Sequence, residues 1–223
     1  MVKKIIITAL SACLLSACDP PPWVRPSSVS PLTGLVPVGQ LKTTRTQLTG
    51  TGQKVLAIVY SKNVEYSRTL NAQMQTKYLG WITQFNTGDI RDDVNLVLSD
   101  DVLMSNLLAP VRAAFREVRF VRDIPEGFEN GADYVAVLDL DLNTTSKMVL
   151  LSQTTTNVAH ASLLFIDPNL EAGPEVRSLV TSEDTLTMKG ADGNIRDGVR
   201  LIKNARTKMI SEFATDFASK VRR

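Results

Sequence analysis

Apolar positions follow three different spacings along the chain. Residues 5–15 are one short apolar run, Ile5 to Leu15. Asp19 to about Gln53 has no period at all and is rich in Pro, Ser, Thr and Gly. From Lys54 onward the pattern becomes that of a folded domain. Val55-Leu56-Ala57-Ile58-Val59-Tyr60 is a continuous apolar run of strand length, which predicts a strand covered on both faces. Leu70, Met74, Tyr78 and Leu79 share helical spacing within Asn63–Phe85, and Tyr78–Ile82 either ends that helix or begins a short strand. Asn95–Leu98 reads as a further strand or a loop into the next helix.

Ser99-Asp100-Asp101 has the form of an N-cap with an acidic first turn, and Val102, Leu103, Leu107, Val111, Ala114 and Phe115 then recur at helical spacing. Pro110 predicts a kink or a second segment. Val118–Val121 alternates as a strand. Tyr134–Asn143 is a longer one, with Leu138, Leu140 and Leu142 on one face and Asp139, Asp141 and Asn143 on the other. Met148–Leu151, Val158–Ile166 and Val176–Leu186 suggest further strands, with turns at Asp167-Pro168-Asn169 and Gly173-Pro174. Asp192-Gly193-Asn194 leads into a final helix whose stripe is Ile195, Val199, Ile202, Met209, Phe213, Phe217 and Val221. Arg196, Arg200, Lys203 and Lys208 occupy its other faces, read as a solvated surface. The order predicts an α+β fold: a mixed, largely antiparallel sheet packed by helices, with a long C-terminal helix.

Composition narrows the class. Of 223 residues, 43% are hydrophobic and 22% charged, which argues against wholesale disorder and against a multi-span membrane protein. Two Cys and one His leave no basis for a zinc cluster or a disulfide scaffold, and a net charge of +2 gives no electrostatic reason to expect nucleic acid. Lys3-Lys4, the apolar run and the small residues Ser16-Ala17 before Cys18 have the layout of a secretory signal peptide, too short to span a bilayer. The predicted organisation is a signal peptide over 1–17, an N-terminus and tether over 18–53, and one α+β domain over 54–223. About 34 residues of flexible tether give a root-mean-square reach of roughly 30 Å. Trp23, Val24, Leu32, Leu35 and Val36 are unusual in a pure spacer and leave open a docked arm.

Leu15-Ser16-Ala17-Cys18 resembles the bacterial lipobox. The resemblance implies that Cys18 is lipidated on its thiol, that cleavage falls before it, and that its new amino group is acylated. Each buried methylene contributes about 0.8 kcal/mol and a single chain anchors only marginally, so two or three chains hold the protein on a membrane. Cleavage removes Lys3, Lys4 and Cys13, leaving 25 − 2 = 23 basic against 23 acidic side chains. Asp19 is similar to the residue that retains enteric lipoproteins in the inner membrane; Pro20 departs from the strongest retention pairs, so the choice of inner or outer membrane stays open.

A second resemblance covers roughly residues 54–223. The Val55–Tyr60 strand, Phe115-Arg116-Glu117-Val118, Gly131-Ala132-Asp133-Tyr134-Val135, Phe165-Ile166-Asp167 before a Gly-containing turn, and the terminal helix are together similar to a group of envelope proteins. These are curli-secretion lipoproteins, the N-terminal domain of TolB and the lipoprotein activators of peptidoglycan synthases. The resemblance implies a non-enzymatic binding, assembly or regulatory role in the envelope, with an envelope protein as partner and no cofactor. An oligomeric export component and an envelope hydrolase are the alternatives. The polar middle Ser152–Asn157 departs from the membrane-crossing hairpins of the first group.

Catalytic and metal signatures are weak. His160 lies in a β-like apolar stretch without a nucleophile elbow, and reads as structural or superficial. Asp139, Asp141 and Asn143 begin like a calcium loop, but Thr144 stands where Gly is required, so a solvated strand face is the expectation and no metal site is assigned. Asp92-Asp93 and Asp100-Asp101 read as loop and helix-start carboxylates, and Gly190–Gly193 as a turn. If the lipobox operates, mass spectrometry of the mature protein finds Cys18 as the N-terminal residue carrying acyl mass; a free thiol there, or another N-terminus, refutes the assignment.

Overall fold

A computed structural model describes residues 32, 35, 42–43, 46–85, 88–149, 152–187 and 191–223; the signal segment, Cys18 and Asp19 lie outside them. The strands are β1 (Lys42–Thr43), β2 (Val55–Tyr60), β3 (Glu117–Val121), β4 (Tyr134–Val149), β5 (Ser152–Ile166) and β6 (Glu171–Thr187). The helices are α1 (Lys62–Phe85), α2 (Arg91–Val97), α3 (Asp100–Ala114), α4 (Ile124–Glu129) and α5 (Ala191–Lys220). The strands form one mixed sheet in the order β1-β6-β5-β4-β2-β3. β2 runs parallel to both β3 and β4, while β4, β5 and β6 form long antiparallel pairs. The fold is α+β with a long C-terminal helix.

Alternation along the strands builds the core. On one sheet face Leu56, Ile58, Leu138, Leu140, Leu163 and Phe165 meet Leu107, Leu108 and Val111 of α3 and Met209, Phe213 and Phe217 of α5. Phe115 stacks on Phe165 at 5.9 Å between ring centroids, and Phe217 lies 6.5 Å from Phe165, so aromatic contact joins α3, β5 and α5. The opposite face buries Val55, Ala57, Val59, Val135, Val137 and Ile166 under Ile124 of α4. A third cluster joins Ile82 of α1, Val94 and Val97 of α2, and Ile195, Val199 and Ile202 of α5. Every stripe residue expected in the terminal helix is buried, but the stripe serves two clusters: its first half packs on helices and its second on the sheet.

Several expectations change. α1 runs unbroken through Tyr78–Ile82. Asn95–Leu98 is neither strand nor loop, because Val94 and Val97 fall on one helical face and fill the third cluster. α3 continues through Pro110 as one helix; the Asn106 carbonyl, which loses its N–H partner there, belongs to an exposed residue. Met148 and Val149 extend β4, and the polar run Ser152–Asn157 begins β5, so the two strands form one long hairpin. Leu150 and Leu151 lie outside the described residues. Gly173-Pro174 sits inside β6 beside a register shift between Leu164 and Ile166 rather than in a turn. Asp192-Gly193-Asn194 belongs to the first turn of α5. Ser99 does cap α3, accepting from the Val102 N–H.

The chain before Lys54 also touches the domain. Leu48 is in the main core, its N–H donates to the Lys220 carbonyl at 2.8 Å, and its carbonyl accepts from Arg222 N–H at 2.8 Å. Leu32 and Leu35 pack against the face of the sheet that α4 covers. Composition thus marks where the apolar pattern starts, and not where contact with the domain starts.

Gly131-Ala132-Asp133 has a structural explanation. Gly131 takes φ +77° after α4, its N–H donates to Phe128 and the Ala132 N–H to Gly127, which is a Schellman ending. Gly127 itself lets α4 approach the sheet, since a Cβ there would stand 2.6 Å from Val135. Asp133 then fastens the start of β4 to β2. Its Oδ2 accepts from Val55 N–H at 2.8 Å and its Oδ1 pairs with Lys54 at 2.9 Å. The Val55 N–H, followed by Lys54, holds this carboxyl below its ordinary range. A depressed folded-state pKa contributes stability above the unfolded value, near pH 4, and that contribution fades as pH falls through the folded value. Asp133→Ala is therefore expected to cost about 1–3 kcal/mol at neutral pH. The gap to the unaltered protein narrows below about pH 4 in urea unfolding, where the carboxylate begins to protonate.

Candidate functional site

β4 outlasts its neighbour. The last pair with β2 is Tyr60↔Leu138, so the β4 edge beyond Leu138 would present bare backbone groups. α1 covers that edge with polar side chains rather than apolar ones. The Ser61 N–H donates to the Leu138 carbonyl at 2.9 Å. The Ser67 hydroxyl donates to the Leu140 carbonyl at 2.8 Å and accepts from the Leu142 N–H at 3.1 Å, taking the place of a neighbouring strand. Asn63, Ser67 and Asn71 are all buried and four residues apart, so they form a polar rib along one helix face. From Asn63 to Asn71 the rib spans about 12 Å.

A carboxylate closes one end of this rib. Asp139 is 3% exposed, and its Oδ1 accepts from the Ser61 hydroxyl at 2.6 Å and from Asn63 Nδ2 at 2.7 Å. It sits against the first turn of α1, where the helix dipole favours negative charge. This corrects the solvated face expected for Asp139, Asp141 and Asn143: Asp139 is buried, and Asp141 and Asn143 are half-buried. Alternation places Asp139 opposite the leucine face correctly, but the Ser61–Asn63 turn closes over it. His160 is half-buried with its Nδ1 3.7 Å from Asp139 Oδ2. Ser61 donates to the carboxylate, so Ser61, Asp139 and His160 are not ordered as a nucleophile, a base and its orienting acid.

A guanidinium closes the other end. Arg206 of α5 is 7% exposed and donates to Asn71 Oδ1 at 2.6 Å and to the Val97 carbonyl. Asn71 Nδ2 donates in turn to the Leu98 carbonyl at 2.7 Å and to Asp100 Oδ1 at 2.6 Å. Arg68 reaches the second oxygen of Asp100 at 3.2 Å. Burial lowers Arg206 to about 10, against a smaller opposing pull from Asp100. Asp100 is therefore more than a helix-start carboxylate: it links α1, α3 and α5. Asp92 and Asp93 stand in the first turn of α2, with Asp93 4.0 Å from Lys203. Arg196 pairs with Asp89 at 2.6 Å, so the basic side chains of α5 lie on an exposed face with acidic neighbours. Among the described residues no cluster of His, Cys, Asp and Glu is arranged to hold a metal ion.

The sequence reading did not single out Arg206, Asn71, Ser67, Asn63 and Ser61. A signal existed for Arg206. The spacing Ile202, Arg206, Met209, Phe213 keeps the stripe's rhythm, so the arginine stands where an apolar residue belongs. Asn63, Ser67 and Asn71 likewise share the face of Val64, but a polar stripe reads as solvent-facing unless the sheet edge is known.

No family model matches the chain, and no curated protein matches it by sequence. Solved structures that align with this chain do so at low identity and low TM-score. A protein described as a neuraminyllactose-binding hemagglutinin homolog from Helicobacter pylori aligns at 12% identity, covering 83% of this chain and 90% of that one, with a TM-score of 0.41. A PelC dodecamer from Paraburkholderia phytofirmans aligns at 13% identity over 80% of this chain and 98% of that one, with a TM-score of 0.34. A minor lipoprotein from Acinetobacter baumannii aligns at 10% identity over 73% and 92%, with a TM-score of 0.32.

Asn71→Ala and Arg206→Ala each leave buried partners without their hydrogen bonds, and each is expected to cost about 2–4 kcal/mol in urea unfolding. The double variant should cost less than the sum by at least about 0.5 kcal/mol. Additive costs would show that the two residues are not one network.

Proposed function

We propose that this protein is a membrane-anchored lipoprotein facing the periplasm, acting as a non-enzymatic binding, assembly or regulatory component of the cell envelope. The observation that carries the proposal is the ordered N-terminus: Lys3-Lys4, the apolar run to Leu15, then Ser16-Ala17-Cys18. The acyl chains on Cys18 supply the membrane affinity, and the α+β domain supplies the partner surface.

Two structural facts support this division of labour. Leu32 and Leu35 pack on the domain, so chain length alone keeps Cys18 within about 50 Å of that contact. The domain then works close to the bilayer. The polar clusters named above bond within the fold: Ser67 fills a strand edge, Ser61 and Asn63 hold the Asp139 carboxylate, and Asn71 joins Asp100 to Arg206. Asp19 is proposed as the residue that sorts the anchored protein to the inner membrane.

Replacing Cys18 by Ala tests the anchor. With an ordinarily cleaved secretory signal in place of residues 1–17, the variant should shift from the membrane to the soluble fraction by about tenfold or more, since the thiol carries the acyl chains. Retention in the membrane fraction with an intact fold would overturn the proposal. Density separation of the two membranes, with Asp19→Ser alongside, tests the sorting residue: the unaltered protein is expected in the inner membrane and the variant in the outer.

A further inference from the structure

Where α1 and α5 cross above β4 and β5, they leave an open recess of about 300 Å³. Much of that space is open to solvent, and the enclosed part admits one small polar head rather than a ring. Leu70, Met74 and Ile202 give it an aliphatic wall, while Asn71, Thr144 and Arg206 provide its polar atoms. This combination of apolar lining and a few fixed polar groups is the usual make-up of a small-ligand site.

The polar side of the recess has more donors than acceptors. Arg206 gives N–H groups to Asn71 and to Val97, and its Nε–H finds no acceptor among the described residues. Thr144 donates to Asn157 Oδ1 at 2.7 Å, which leaves the Asn157 amide nitrogen buried without an acceptor among those residues. Asn157 is 3% exposed, and across the ladder Ser182 has a buried hydroxyl likewise without a partner there. Charge is unbalanced in the same sense, because Arg68 and Arg206 share the single carboxylate Asp100. Asn157 and Ser182 stand outside the lining, but Arg206 is on it, and a buried cation with an unmatched N–H calls for a group that accepts.

We propose that this recess binds a carboxylate carried on a short aliphatic stem. The Arg206 guanidinium takes one oxygen; turning the Asn157 amide over lets its Nδ2 donate to Thr144 Oγ1, which frees the Thr144 proton for the other oxygen, and Leu70, Met74 and Ile202 take the stem. Guanidinium and carboxylate match in charge and planar geometry. The site adds a ligand chemistry to the envelope role and does not rest on acylation of Cys18.

The test is an NMR titration of the full chain carrying Cys18→Ala, with sodium butyrate against its neutral isostere butyramide. Butyrate should give saturable shifts at Met74, Thr144 and Arg206 with a Kd of about 1 mM, as expected of so small a ligand. Butyramide should bind about tenfold more weakly, because it brings no charge to Arg206. Arg206→Met should abolish the shifts. Should that variant not fold, Thr144→Val, which leaves the Arg206 network in place, is expected to weaken butyrate several-fold. Equal response to butyrate and butyramide, shifts confined to other regions, or unchanged butyrate binding in folded Thr144→Val would each overturn the proposal. Two capped tripeptides identify the source of the group: acetyl-Ala-Glu-Ala-amide offers a side-chain carboxylate and acetyl-Ala-Ala-Ala a terminal one. Tighter binding of either names a peptide source, and preference for butyrate over both names a free small acid.

Discussion

The bare edge of β4 is the constraint from which much of the helical layer follows. A strand that continues past its neighbour exposes N–H and C=O groups that must find partners. Here β2 stops at Tyr60 and turns directly into α1, so the same segment that leaves the edge open also covers it. Ser61 and Ser67 bond to β4 backbone at Leu138, Leu140 and Leu142. That requirement gives α1 a polar buried face, and a polar buried face needs charges or amides at its ends. Asp139 and Arg206 stand at those ends.

The opposite side of the sheet solves a similar problem with α5. Beyond its short pairing with β1, β6 has an outer edge, and there the Arg177 N–H donates to Asp216 Oδ2 at 2.7 Å while Lys220 Nζ donates to the Glu175 carbonyl at 2.7 Å. Asp216 and Lys220 are one turn apart and pair with each other at 2.7 Å. A helix carboxylate and ammonium thus imitate the acceptor and donor of a missing strand. The same helix buries Phe213 and Phe217 in the core, so its apolar stripe and its edge-capping pair fix one orientation. Arg206 then follows from that orientation, since it lies on the stripe and must meet Asn71.

Much of this architecture was legible in the chain. The β2 run, the alternating leucines of β4, the Ser99 cap and the full stripe of α5 stand where period and capping chemistry put them. The misread elements share a cause. Asn95–Leu98 reads as a strand or loop because its apolar residues are few and adjacent, and the helical spacing of Val94 and Val97 has meaning only once Ile82 and Ile195 lie opposite. Ser152–Asn157 stands between the predicted strands Met148–Leu151 and Val158–Ile166, yet it begins β5, where Thr155 and Asn157 are buried. Alternation alone assigns Asp139 to solvent, because it reports the face of a sheet without saying what covers that face.

Taken alone, the sequence determined the periodic elements and the α+β class, because hydrophobic spacing and caps are local properties of neighbouring residues. It also supplied the N-terminal motif on which the proposed anchor depends. Tertiary structure alone decided which polar residues are buried. Ser67, Asn71, Asp139 and Arg206 come from three distant parts of the chain, and each is a reasonable surface residue until β2 ends early and leaves an edge to fill. Burial of a polar group depends on a partner supplied across space, and the partner's distance along the chain carries no sign of it.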